Sequence, residues 1–150
     1  MSRGRIVSTT LVAFLVWQVA EILVHGFILA GDYQRYEGTL LRPVQDGQPP
    51  WQMLFLPVAN LAFSSALVWV YARLRLDGSP VTRGLALGVV AWMIGQVPLW
   101  LIWYAEQPWP GRLVVKQLGL ELLASIVLGL AIAYMARSRL PAMGREAARV

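Results

Sequence analysis

At 150 residues the chain has room for one domain, and a hydrophobic fraction of 57% with only 14% charged residues lies well above the apolar share of soluble domains. The net charge of +5 does not point to nucleic acid, because the basic residues gather at the ends of apolar runs, where membrane topology accounts for them. The chain has no cysteine, which excludes thiol redox chemistry, iron–sulfur ligation, palmitoylation and lipoprotein anchoring.

Four apolar runs, each about 20 residues or longer, match the hydrocarbon thickness of a bilayer. The expected fold is therefore all-α and integral to the membrane, a single domain over 1–150. Four transmembrane helices are expected at 6–29, 52–72, 84–104 and 113–135, arranged as an up-down bundle.

The first run follows Arg3 and Arg5 and holds Gln18, Glu21 and His25, the only histidine. In a helix, residues four apart share a face, so Glu21 and His25 are neighbours, and Gln18 joins them. Ionisable groups at that depth are costly, face the bundle interior and mark a functional hypothesis. A cleaved signal peptide is the rival reading of this run. Ile28-Leu29-Ala30 makes a poor cleavage site, and Glu21 and His25 would be odd in a discarded segment.

A polar connection over 30–51 comes next, long for a helix–helix link and so a candidate lid or contact surface. It contains Asp32, Arg35, Glu37, Arg42 and Asp46 and ends in Gly47-Gln48-Pro49-Pro50. Tyr33, Tyr36 and Trp51 suit a membrane interface. The second run carries Pro57, Asn60, Ser64 and Ser65, and a turn at Asp77-Gly78-Ser79-Pro80 follows it.

The third run places small residues at Gly84, Gly88, Ala91 and Gly95. That spacing lets another helix approach closely, either within the chain or across a homo- or hetero-oligomer. Gln96 and Pro98 follow, then Trp100, Trp103 and Tyr104. Two prolines around Trp109 stiffen the last connection. The fourth run repeats Gln117, Glu121, Ser125, Gly129 and Ala133 every four residues, a polar-to-small stripe that should face the bundle. A basic tail over 136–150 ends the chain.

Nine of the thirteen basic residues fall at one set of run ends (Arg3, Arg5, Arg73, Arg75, Arg83, Arg137, Arg139, Arg145, Arg149) and four at the other. The positive-inside rule then places both termini in the cytoplasm and, for a bacterial inner membrane, the 30–51 connection in the periplasm. Glu21, Asn60, Gln96 and Glu121 each lie about eight residues from the outer end of their run, roughly 12 Å deep at 1.5 Å per residue. His25 and Gln117 lie about one turn further out. The expected site is a polar, carboxylate-lined chamber walled by Trp17 and Trp92. Glu21, His25 and Glu121 would hold a small polar or cationic ligand, with Asn60, Gln96 and Gln117 in support.

The other readings are a structural or assembly subunit of a larger complex and a proton-, cation- or metal-handling enzyme. Glu-x-x-x-His on one helix is a weak metal signal, the diiron pattern needs Glu-x-x-His twice, and a lone histidine gives no bis-histidine haem. No metal or other cofactor and no catalytic residue is assigned; the expected partners are membrane lipids and the oligomer just named. The chain resembles the small four-span bacterial inner-membrane proteins of unknown function. The likeness rests on His25-Gly26-Phe27-Ile28-Leu29-Ala30-Gly31-Asp32-Tyr33 and on Gln107-Pro108-Trp109-Pro110-Gly111 leading into Lys116-Gln117. It implies architecture and no residue roles. The translocator-protein family, also rich in tryptophan, differs in having five spans.

Overall fold

The computed structural model describes residues 1–41, 51–74 and 77–137. Arg42, Asp46, Gly47 to Pro50, Arg75, and the tail with Arg139, Arg145 and Arg149 lie outside the described residues. The described residues are helical throughout the apolar runs and form no strand. Four helical stretches are long and apolar enough to cross a membrane: Arg3–Ile28, Trp51–Arg73, Pro80–Glu106 and Gly111–Ala136. Each is longer than the sequence boundaries, because helical structure continues into the polar flanks where hydropathy has already fallen.

Apolar surface on the outside of the molecule supports a multi-pass membrane protein. In the most apolar stretch of each span only 17%, 22%, 22% and 39% of residues, in chain order, are buried within the chain. Leu15, Phe27, Leu54, Ile94, Val115 and Leu123 all point outward. In water such surface would drive aggregation, whereas lipid solvates it.

The first span is α1 (Arg3–Glu21), capped by Ser2, whose side chain accepts from the Arg5 N–H. It continues into a wider π-helical segment, Ile22–Ile28, where Leu29 N–H reaches back five residues to Val24 O at 2.9 Å. A short helix, α2 (Ala30–Gln34), follows. The second span is a 3-10 turn, Trp51–Leu54, running into α3 (Phe55–Arg73). Pro57 stands in the first turn of α3, where its missing N–H leaves no interior bond unmade.

The third span starts with α4 (Pro80–Ala91), capped by Ser79 with Pro80 in the first turn, which suits proline's fixed φ. A second π segment, Trp92–Gln96, leads into α5 (Val97–Glu106). Its cause is legible: Pro98 has no N–H to give, and Val97 N–H pairs five residues back with Trp92 O. The fourth span is α6 (Gly111–Ala136), unbroken.

Helix α6 is the centre of the packing. It lies against α1 and α4, and α1 in turn packs on α3. The five stripe residues Gln117, Glu121, Ser125, Gly129 and Ala133 are all buried, as the sequence period requires. Contact between α4 and α6 is backbone to backbone. A Cβ on Gly129 would lie 2.3 Å from Gly84 O and 2.6 Å from Gly88 N, and one on Gly88 would lie 2.5 Å from Ser125 O. The glycine face of the third span is therefore occupied by α6 of the same chain. Leu67, Val68, Leu87, Leu128 and Ile132 fill the core beside it, with Trp17 against Phe63 at 5.1 Å.

The first and third connections meet at one end of the bundle, the cap end. There Val24, Leu29, Trp100, Trp109, Leu113 and Val114 form a second cluster. Trp109, buried between its two prolines, packs against Tyr36 (6.2 Å), Trp100 (6.2 Å), Trp103 (6.4 Å) and Tyr33 (6.5 Å).

Because neither backbone can retreat, Gly88→Ala and Gly129→Ala should each destabilise the fold by about 1–3 kcal/mol. Gly119→Ala, with open space around its Cβ position, should be neutral. Thermal unfolding in detergent measures this, and three equal midpoints would refute the close contact.

Candidate functional site

Glu21 and His25 stand on consecutive turns where α1 gives way to its π segment, and Glu121 faces them from the middle of α6. His25 Nε2 is 2.7 Å from Glu121 Oε1 and 3.6 Å from Glu21 Oε2. Two carboxylates thus share one imidazole edge. Ligand atoms of all three residues lie within 4.8 Å of one another.

The other imidazole nitrogen is equally engaged. His25 Nδ1 and the Tyr33 hydroxyl are 2.5 Å apart, and Gln117 Nε2 donates to that hydroxyl at 2.7 Å. The direction of the chain follows from the Glu121 carboxylate, which as an anion only accepts, so Nε2 carries hydrogen and donates to it. Nδ1 of the neutral ring is then bare and accepts from the Tyr33 hydroxyl, whose oxygen accepts from Gln117. Trp100 stacks on the imidazole from the side, ring centres 6.4 Å apart.

Burial sharpens the arrangement. The Glu121 side chain is 1% exposed and Gln117 is fully buried, whereas Glu21 and His25 are about a quarter exposed. Glu21 Oε1, Glu121 Oε2 and Gln117 Oε1 are buried without a hydrogen-bond partner among the described residues. An unpaired acceptor in an apolar surrounding is costly, so the cluster has capacity for donors or a cation that its own side chains do not fill.

Above the site, α2 is pinned to α6. Lys116 Nζ donates to Asp32 Oδ2 at 2.6 Å. This bond, with the Lys116, Arg35 and Arg112 charges, holds the Asp32 carboxyl below its ordinary range. Burial pushes the Tyr33 phenol up, so Tyr33 stays protonated at neutral pH and serves as a hydroxyl.

The structure brings together four of the six residues expected to bind: Glu21, His25, Gln117 and Glu121. No hydrogen bond among the described residues links Asn60 or Gln96 to them. Asn60 Nδ2 donates to Gln18 Oε1 at 3.0 Å, a separate tie between α3 and α1. Gln96 is half-buried at the end of the second π segment and has no hydrogen bond among the described residues. Equal depth does not fix rotation about the helix axis, and the π segment turns Gln96 away from where an α-helical count places it. The expected four-sided chamber is thus two pieces, a closed amide pair and a carboxylate–histidine cluster. Its expected walls have other tasks: Trp17 packs in the lower core, and Trp92 Nε1 donates to Leu118 O at 2.9 Å. A groove between the first span and α6, lined by Leu15, Val19, Leu23 and Val127, is wholly apolar.

Tyr33 was missed from sequence, where it reads as an interface anchor. The available signal was its place eight residues after His25, where the span must end and the chain can fold back. No protein-family model matches the chain, and no curated protein or solved structure is significantly similar to it.

Asp32 supplies a pH test of the cap. A carboxyl depressed in the folded state stabilises above its unfolded value, about 3.9 for Asp, and the contribution disappears as pH falls through the lower folded value. Tryptophan fluorescence from the cap should be flat from pH 7 to 5 and change only in strong acid. Asp32→Asn should remove that acid step; an unaltered step in the variant would assign it elsewhere.

Proposed function

We propose that the chain is a multi-pass protein of a bacterial inner membrane, with both termini cytoplasmic, that binds a small cationic ligand through Glu21, His25 and Glu121. The excess of arginine at the terminal end of the bundle supports this orientation. It puts the cap, and access to the cluster, on the periplasmic side. One observation carries the reading: two carboxylates and an imidazole from two helices converge within 4.8 Å, with a buried, unpartnered oxygen left on each carboxylate. Two acids in a water-poor site attract positive charge, and the imidazole between them fixes their spacing. Gln117 belongs to the site through Tyr33.

The test is native mass spectrometry with elemental analysis of the full chain purified in mild detergent. A small mass or ion should accompany wild type and be lost in Glu21→Gln. Identical content in the two proteins would count against a cation site there.

A second reading, that the polar layer sets helix register in a structural subunit, is favoured by one contact. The Gln18–Asn60 bond joins α1 to α3 and has no link to the carboxylates. Asn60→Leu should cost about 0.6–2 kcal/mol, the range for interhelical hydrogen bonds in membranes, and leave bound-cation content unchanged. Loss of the cation in this variant would mean that the two polar pieces act as one.

A further inference from the structure

We infer that the cation is a divalent first-row metal ion of the zinc or manganese kind, ligated by Glu21, His25 Nε2 and Glu121, with Tyr33 and Gln117 setting the imidazole tautomer. The inference rests on the cation-binding reading above and narrows it to a ligand class.

Charge is the first argument. Two carboxylates and a neutral imidazole carry −2, which a divalent ion cancels in one step, whereas a monovalent cation leaves a net negative site away from water. Donor type is the second. One nitrogen and carboxylate oxygens suit zinc, manganese or ferrous iron, and the absence of thiolate disfavours soft ions. Magnesium is a poor fit, since it resists dehydration and demands near-octahedral oxygen ligation.

Spacing is the third. Ligands about 2.0–2.1 Å from a tetrahedral ion stand about 3.3 Å from one another. The Nε2–Glu21 separation of 3.6 Å is already close to this, and the Nε2–Glu121 separation of 2.7 Å must open by roughly half an ångström. The outer limit of 4.8 Å closes by side-chain rotation of Glu21, the more exposed carboxylate. Three protein ligands leave a fourth position open, as in sites that present a metal to a water molecule or a small ligand.

The strongest argument is the far side of the imidazole. A ligating histidine needs its metal-facing nitrogen bare and its other N–H donated to a fixed acceptor. Here Nδ1 meets the Tyr33 hydroxyl, and Gln117 Oε1 is buried with no partner beside it. Turning the Gln117 amide over makes Oε1 the acceptor for the Tyr33 hydroxyl, whose oxygen then accepts from Nδ1–H. That frees Nε2 for metal and pairs the amide oxygen, with Gln117 Nε2 taking its former place. The proton that Nε2 shares with Glu121 in the metal-free tautomer thus moves to Nδ1 when the ion binds, and the imidazole stays neutral. A purely structural network has no use for this reversibility.

The experiment uses the full chain in mild detergent, with any affinity tag removed and metal stripped by chelator. It is titrated with zinc and with manganese chloride by calorimetry, then passed through a desalting column for metal analysis. One ion per chain is expected, with no competition from excess magnesium. Retention should vanish in His25→Gln and Glu121→Gln, and affinity should fall about 10–100-fold in Tyr33→Phe. Circular dichroism and gel filtration check folding. If the ligand variants do not fold, Tyr33→Phe decides, since it removes one oxygen from a residue that never touches the ion. Wild type that retains neither metal, or Tyr33→Phe and wild type binding alike, overturns the metal assignment. A small organic cation in native spectra, lost in Glu21→Gln with no metal present, overturns it while preserving the broader reading. Absence of both removes both.

Discussion

A carboxyl group on the most buried helix of an apolar bundle must find its partners inside the protein, because no water is at hand to supply them. Glu121 is that group. The four-residue period that buries Gly129 and Ala133 buries Glu121 with them, so its environment is dictated by the packing of α6 and not by solvent. His25 answers from the π segment that continues α1, at 2.7 Å. The position of α1 against α6, the aim of the imidazole and the need for Tyr33 behind it follow from satisfying this one acid.

The rest of the cap end serves the same requirement. A histidine held on one side only could rotate about its last torsion, and Tyr33 prevents that by engaging Nδ1. Tyr33 can reach Nδ1 because the chain turns back at Leu29, which is fully buried, into α2. Helix α2 is too short to stand alone; the Asp32–Lys116 bond and the contact with Trp109 hold it down. Trp109 is in turn fixed by prolines on both sides. A stiff aromatic plug therefore covers a polar cluster that would otherwise face the interface.

Much of this is legible in the sequence, for reasons that differ by feature. The spans are legible because bilayer thickness imposes a length and lipid imposes a composition. The meeting of Glu21, His25 and Glu121 is legible because the first pair shares one helix face and the third lies in the only polar-to-small stripe. Asn60 and Gln96 mark the limit. Counting residues from a span end gives depth but not azimuth, and the assumed α-helical pitch fails where π segments widen the turn. Proline at 98 announces a break but not its form. Tyr33 reads as a membrane anchor in the sequence because residues beyond a span have no periodicity to orient them; only the fold-back of α2 gives it a partner.

The division of α6 into two kinds of surface bears on which reading the site deserves. Towards the terminal end its stripe is Gly129 and Ala133, and Gly129 is pressed against Gly84 and Gly88 with no room for a methyl group. Towards the cap end the same stripe is Ser125, Glu121 and Gln117, with an oxygen on each buried and unpartnered. Register between α4 and α6 is already fixed by the glycine contact, and register between α1 and α3 by Gln18 and Asn60. The charged cluster joins the remaining pair, the first span and α6. It adds a desolvated carboxylate that hydrophobic residues of similar size would replace at no loss of stability, or with a gain. Acceptors left open around a held imidazole are what the proposed cation site requires.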